Sequence, residues 1–227
     1  MRLQDMARRG AVALSVGALA LGLGVSPAAA SGTAPECSVQ PLPPTRVSMD
    51  TPYKEVPVPV IGDCDVDVSV RVGIVDPRDQ VDYVLEYDAL TPVDDWPVTS
   101  SNRPGTYFFI GDPADTSVEV LPATTVVKYG ARAGIRGERF GNQVELLVAG
   151  QYFNGVSDRY VPLRDRKATI QILGKDGKTW QFLRSVTLPQ DGRVFYRFTN
   201  KYAATYRVVT WETDNIFSRT SAAVTVR

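Results

Sequence analysis

The sequence predicts an all-β protein: two tandem antiparallel β-sandwich domains behind an N-terminal export segment. Three observations carry that expectation. Apolar and polar residues alternate one for one in short runs along the 227-residue chain, the pattern of strands buried on one face. Turn signals, Asp-Gly pairs among them, separate these runs at roughly 8–12 residue intervals. Beyond Ala30 no window of helical length repeats its apolar positions with a helical period.

Residues 1–30 read as a cleaved signal peptide. Arg2, Arg8 and Arg9 make a basic start, Ala11 to Val25 is apolar and uncharged, and Ala28, Ala29 and Ala30 supply the small residues a signal peptidase needs. The apolar run is about 15 residues, short of the ~20 of a membrane span, which weighs against a retained anchor. The mature chain is expected to begin near Ser31 and to be secreted and extracellular. No later stretch is apolar enough for a transmembrane segment. Cys37 comes too late to carry a lipoprotein anchor, and no sorting motif closes the chain at Arg227.

Residues 31–44, rich in Pro, Ser and Thr, read as an extended leader. Cys37 and Cys64 are the only cysteines, and an even count in an exported chain points to a disulfide. By the chain-entropy account that bridge contributes about 3 kcal/mol. A redox or metal pair is the weaker reading, because the chain has no C-x-x-C and no histidine.

Residues 45–122 form the expected first domain. Val66, Val68, Val70 and Val72 share one face against Asp65, Asp67, Ser69 and Arg71. Tyr83, Leu85 and Tyr87 alternate with Asp82, Val84 and Glu86, and Tyr107 stands two residues ahead of Phe109. Val118 to Leu121 closes this half. Leu121-Pro122-Ala123 is the expected junction, since proline interrupts a ladder.

Residues 123–227 form the second domain, large enough like the first for one core. Ala168, Ile170 and Ile172 alternate with Lys167, Thr169 and Gln171. Asp176-Gly177 predicts a primed hairpin turn leading into a strand with Trp180 and Phe182. Asp191-Gly192 opens the strand of Val194, Tyr196 and Phe198; the strands Ala204 to Trp211 and Ser221 to Val226 follow. Tyr206 stands two residues before Val208, as Tyr107 stands before Phe109, a weak internal duplication. In immunoglobulin sandwiches a corner tyrosine precedes the second core cysteine by two residues. Val208 takes that cysteine's place, so apolar packing would pin the sheets.

The run from Trp180 through Asp191-Gly192-Arg193 and Ala204-Thr205-Tyr206 to Ser221–Val226 resembles the bacterial immunoglobulin-like domains of secreted actinobacterial proteins. The resemblance covers roughly residues 123–227. It implies the fold, and leaves adhesion, stalk and spacer roles open.

Charge is divided between the halves. Residues 31–122 hold 16 acidic and five basic residues, a net of −11, and residues 123–227 hold 17 basic and eight acidic ones, a net of +9. Three consequences stay open. The surfaces are merely solvated and bias how the domains pack; or the basic half grips an acidic polymer of the cell envelope; or copies associate head to tail. For the second, Lys167, Arg193, Arg197 and Arg207 share the outward parity of their strands with Phe195 and Trp211, a candidate basic and aromatic face.

The absence of histidine removes Ser-His-Asp and Cys-His catalysis and His-ligated metals. No phosphate-loop or dinucleotide glycine pattern occurs, and an exported chain without a recognition motif is not expected to bind nucleic acid. Paired carboxylates, Asp63, Asp65 and Asp67 or Asp94-Asp95 beside Trp96, leave a small hydrolase as the third reading. Asp76 with Asp79, and Asp112 with Asp115, form Asp-x-x-Asp turns suited to calcium, although aspartate caps such turns without an ion. Trp96, Trp180 and Trp211 are candidate sugar-stacking platforms or core residues. The expected function is a secreted, non-enzymatic binding or structural module at the cell surface. Its partner is a protein or an anionic envelope polymer, and no cofactor is required. A calcium- or carbohydrate-binding accessory protein is the alternative.

Overall fold

The computed structural model describes residues 37–65, 68–88, 90–112 and 117–227. The expectations placed on residues 1–30 and 31–36, on Val66 and Asp67, and on Asp115 lie outside them. All described elements are strands.

The first sandwich uses nine strands: β1 (Cys37–Pro41), β2 (Arg46–Met49), β3 (Tyr53–Gly62), β4 (Val70–Val75), β5 (Val81–Tyr87), β6 (Val93–Thr99), β7 (Gly105–Gly111), β8 (Val118–Val120) and β9 (Ala123–Tyr129). They form sheets in the orders β6-β3-β1-β8 and β2-β9-β7-β4-β5. The second uses eight: β10 (Ala131–Phe140), β11 (Gln143–Asn154), β12 (Arg159–Pro162), β13 (Arg166–Leu173), β14 (Trp180–Leu188), β15 (Arg193–Thr199), β16 (Ala204–Thr210) and β17 (Val224–Val226). One sheet holds β10, β11, β12 and β15; the other runs β14-β13-β16-β17. Each sandwich has its own core, one around Trp96, Tyr107 and Phe109, the other around Leu146, Ile170, Tyr206 and Val208, and Tyr129 packs against both.

Three local expectations need correction. The chain leaves the first sandwich at Tyr129, not at Leu121-Pro122-Ala123. Pro122 does end a ladder, but β8 pairs β1 while β9 pairs β2 and β7. The proline therefore marks a crossing between the two sheets of one sandwich. The leader likewise ends in a strand: β1 pairs β3, then the chain crosses at Pro43-Pro44 so that β2 joins the other sheet. The pairs β1–β8 and β2–β9 are parallel, whereas the other pairs between described strands are antiparallel. Finally, in both Asp-Gly turns only the glycine has positive φ (Gly177 67°, Gly192 69°), whereas a primed turn of the Asp-Gly kind needs both residues there. At the first turn Asp176 instead accepts from the N–H groups of Lys178 (3.0 Å) and Thr179 (2.9 Å).

The Cys37–Cys64 disulfide is formed, with Cα atoms 4.9 Å apart. Beside it Ser38 N donates to Asp63 Oδ1 at 2.7 Å, and that bond holds the Asp63 carboxyl below its usual range. The two sandwiches are joined by backbone as well as side chains. Tyr129 N donates to Asn215 O at 2.9 Å, Phe217 N to Tyr129 O at 3.0 Å, and Gly130 N to Met49 O at 2.8 Å. Gly130 leaves the strands room to approach: a Cβ would stand 2.6 Å from Ser48 Oγ and 2.9 Å from Asp50 Cβ.

Candidate ligand-binding face

The outer face of β14-β13-β16 collects aromatic and cationic groups on a flat surface. Alternation turns Ala168, Ile170, Tyr206 and Val208 into the core, so Lys167, Thr169, Gln171, Arg207 and Trp211 face out. The register sets Gln171 opposite Arg207, and Arg207 Nε donates to Gln171 Oε1 at 2.7 Å. That bond holds the guanidinium over the Trp180 ring, 4.2 Å from its centroid. At the other end Trp211 Nε1 donates to Thr169 Oγ1 at 2.8 Å, and Lys167 Nζ stands 5.2 Å from the Trp211 ring centre. Trp211, just beyond the end of β16, stands four positions after Arg207, roughly 13 Å of extended chain.

Trp180 and Phe182 join this face through a β-bulge. The β13–β14 register shifts between Ile170 and Gln171, so Phe182 pairs with outward Gln171. Without the shift Phe182 would share the inward parity of Val186 and Leu188. It is instead 67% exposed, and Trp211 at the other end of the face is 46% exposed. Sequence parity places Lys167, Gln171, Arg207 and Trp211 outward but misses Trp180 and Phe182, since a bulge leaves no signature in alternation.

The six residues expected on one basic face divide between two. Lys167, Arg207 and Trp211 lie on the β14-β13-β16 sheet. Arg193, Phe195 and Arg197 lie on β15, which pairs β11 in the opposite sheet. Parity distinguishes inside from outside but not one sheet of a sandwich from the other. On that second face Arg197 is already paired with Glu145, and Phe195 is 63% exposed opposite Leu147.

The acidic candidates are dispersed. Asp76 follows β4, whereas Asp112 follows β7, whose Gly111 pairs Val72 towards the other end of β4. The two turns therefore do not form one site. Asp76, only 3% exposed, accepts from Arg78 N (2.8 Å) and Gln80 N (3.1 Å) on one oxygen and from the Arg78 guanidinium (2.8 and 2.6 Å) on the other. Burial pushes that carboxyl up, but the Arg78 bonds outweigh it and hold the group below its usual range. Asp79 takes a left-handed φ of 60° in the same turn, and Asp112 lies 3.8 Å from Arg71 Nη1. No cluster of three or more metal-binding side chains occurs among the described residues. Trp96 is fully buried, packed on Tyr107 and Phe109 at centroid distances of 5.0 and 5.8 Å, so it is core and not a platform.

The fold is immunoglobulin-like. Its two cores each centre on a tyrosine whose hydroxyl bonds back upstream: Tyr107 donates to Arg103 O at 3.0 Å, and Tyr206 accepts from Asn200 Nδ2 at 2.8 Å. No protein-family model and no curated protein matches the chain. Among solved structures, native alpha-2-macroglobulin of E. coli is 13% identical over 85% of this chain and 14% of its own, with a TM-score of 0.41. Salmonella alpha-2-macroglobulin reacted with methylamine is 13% identical over 85% of this chain and 15% of its own, with a TM-score of 0.39. The BSP domain of a biofilm-associated protein is 14% identical over 83% of this chain and 29% of that one, at 0.31. This chain thus spans under a third of the length of each, and the similarity is one of β-sandwich architecture alone.

Proposed function

We propose that this protein is an exported, non-enzymatic binding module that holds an anionic polymer of the cell envelope on the β14-β13-β16 face. The observation that carries the reading is the pair of aromatic–cation stations, Trp180 with Arg207 and Trp211 with Lys167, on one uncovered sheet surface. Rings offer faces to sugars or apolar backbone, and the cations, Lys167 on β13 and Arg207 on β16, meet carboxylate or phosphate groups across the same face. Export rests on the basic and apolar character of residues 1–30 and agrees with a disulfide outside a reducing compartment. No helix among the described residues is long and apolar enough to cross a membrane.

Co-sedimentation with insoluble polyuronate and polyphosphate, against neutral dextran, tests this. Binding to a polyanion should weaken steeply with salt and fall about tenfold in an R207A/W211A variant. Equal retention by dextran would favour the carbohydrate-binding alternative, for which Trp211 is the exposed platform. No retention at low salt would end the polymer reading.

A further inference from the structure

A half-open cleft of about 500 Å³ lies where the two sandwiches meet. Tyr129 at the end of β9 and Tyr152 of β11 form its aromatic wall, their ring centres 6.4 Å apart at 54°. Arg164 and Arg166 flank Asp165, whose φ of 53° turns the chain between β12 and β13. Thr213 and Asn215, from the segment between β16 and β17, complete the lining. Asp214 at the rim is the only opposing charge in it.

Two properties distinguish the cleft from a packing gap. Its volume falls in the ~300–1,000 Å³ range of small-molecule sites, which favour domain junctions. Both arginines are exposed, and among the described residues neither guanidinium has an ion-pair or hydrogen-bond partner. Other arginines of this chain, Arg46, Arg71, Arg78 and Arg197, each carry a carboxylate. The walls are also fixed in advance. Tyr129 is bonded through its backbone to Asn215 and Phe217, and Lys128 Nζ donates to Thr213 O at 2.9 Å. Little ordering is then left to oppose binding. Burial, with a smaller push from Tyr152, raises the Tyr129 phenol, which stays a neutral hydrogen-bond donor.

We propose that this cleft binds a small molecule bearing a carboxylate or phosphate on a sugar-sized ring. Arg164 and Arg166 take the anionic oxygens in forked, charge-assisted hydrogen bonds, and the ring packs against Tyr129 and Tyr152. The site is separate from the β14-β13-β16 face and does not depend on polymer binding there.

Calorimetric titration of the full chain with glucuronate, glucose 6-phosphate and glucose tests the assignment and distinguishes carboxylate from phosphate. At least one anion should bind saturably and glucose should not. An R164A/R166A variant should bind that anion about tenfold more weakly or worse. Its melting temperature should be unchanged, since both side chains are exposed. The R207A/W211A variant should bind like the unmodified chain. Absence of saturable binding by both anions, equal binding of glucose, or unchanged affinity in R164A/R166A would overturn the proposal.

Discussion

Lys128 Nζ of the first sandwich donates to Glu212 Oε1 of the second at 2.8 Å. Arg46 reaches the other oxygen of the same carboxylate at 2.7 Å. The first sandwich, which holds most of the acidic residues, thus presents cations at the junction and the second presents an anion, opposite to what net charge implies.

This pair sets an acid-side prediction. The hydrogen bond from Lys128 holds the Glu212 carboxyl below its usual range; burial opposes it, and the Lys128 and Arg46 charges add to it. The folded state therefore prefers the ionised form. Its stabilisation is present above the unfolded pKa of about 4.3 and is lost as pH falls through the lower folded value. With Glu212 39% exposed, E212Q should cost under about 1 kcal/mol at neutral pH. Urea melts of both proteins should converge as pH drops below about 4.

Reduction of Cys37–Cys64 should cost about 3 kcal/mol, since the bridge restricts the unfolded chain. The loss belongs to the first sandwich, whose β1 it ties to the approach to β4. Denaturation of a W180F/W211F variant, followed by the fluorescence of its remaining Trp96, with and without a thiol reductant, checks it. Identical midpoints with both thiols alkylated would contradict it.

Tyr107 supplies the alkaline counterpart. Burial pushes its phenol up to about 12, so the unfolded chain ionises first, near 10. Stability contributed by the protonated phenol is complete below pH ~10 and is lost as pH rises towards the folded value. Y107F removes the bond to Arg103 O, and with it about 1 kcal/mol at neutral pH. It should also flatten the decline between pH 10 and 12 in a stability–pH profile.

The two turn glycines should respond unequally to alanine. Gly177 has open space around its missing Cβ, so G177A meets only the left-handed backbone penalty of about 1–2 kcal/mol. At Gly192 a Cβ would stand 2.6 Å from the Gly150 carbonyl oxygen, which is backbone and cannot swing away. G192A should therefore lower the melting temperature clearly more than G177A.

Legibility in sequence followed side-chain size. The strands from Arg166 to Val226 were readable because large apolar residues alternate with polar ones, and Asp-Gly marks their ends. β10 was not, since its inward positions are Ala131, Ala133, Ile135 and Gly137, too small to make a pattern. Gly137 is small because Val226 and Leu146 occupy the space above it. β3 was hidden by Pro57 and Pro59, which argue against a central strand. Yet β1 pairs β3 only at Val60–Gly62, so neither proline stands where β1 needs a donor.

By itself the sequence determined that the described residues are all-β, that two cores form, that Cys37 and Cys64 join, and which residues face outwards on the strands that alternate without a bulge. These follow from local alternation and composition, which a strand reads two residues at a time. Only the tertiary structure decided which sheet each strand enters, where the first sandwich ends, and which outward residues meet. Lys167, Trp180, Arg207 and Trp211 share a face, and Arg193 does not, because strand pairing and one bulge are set by long-range packing that no local period encodes.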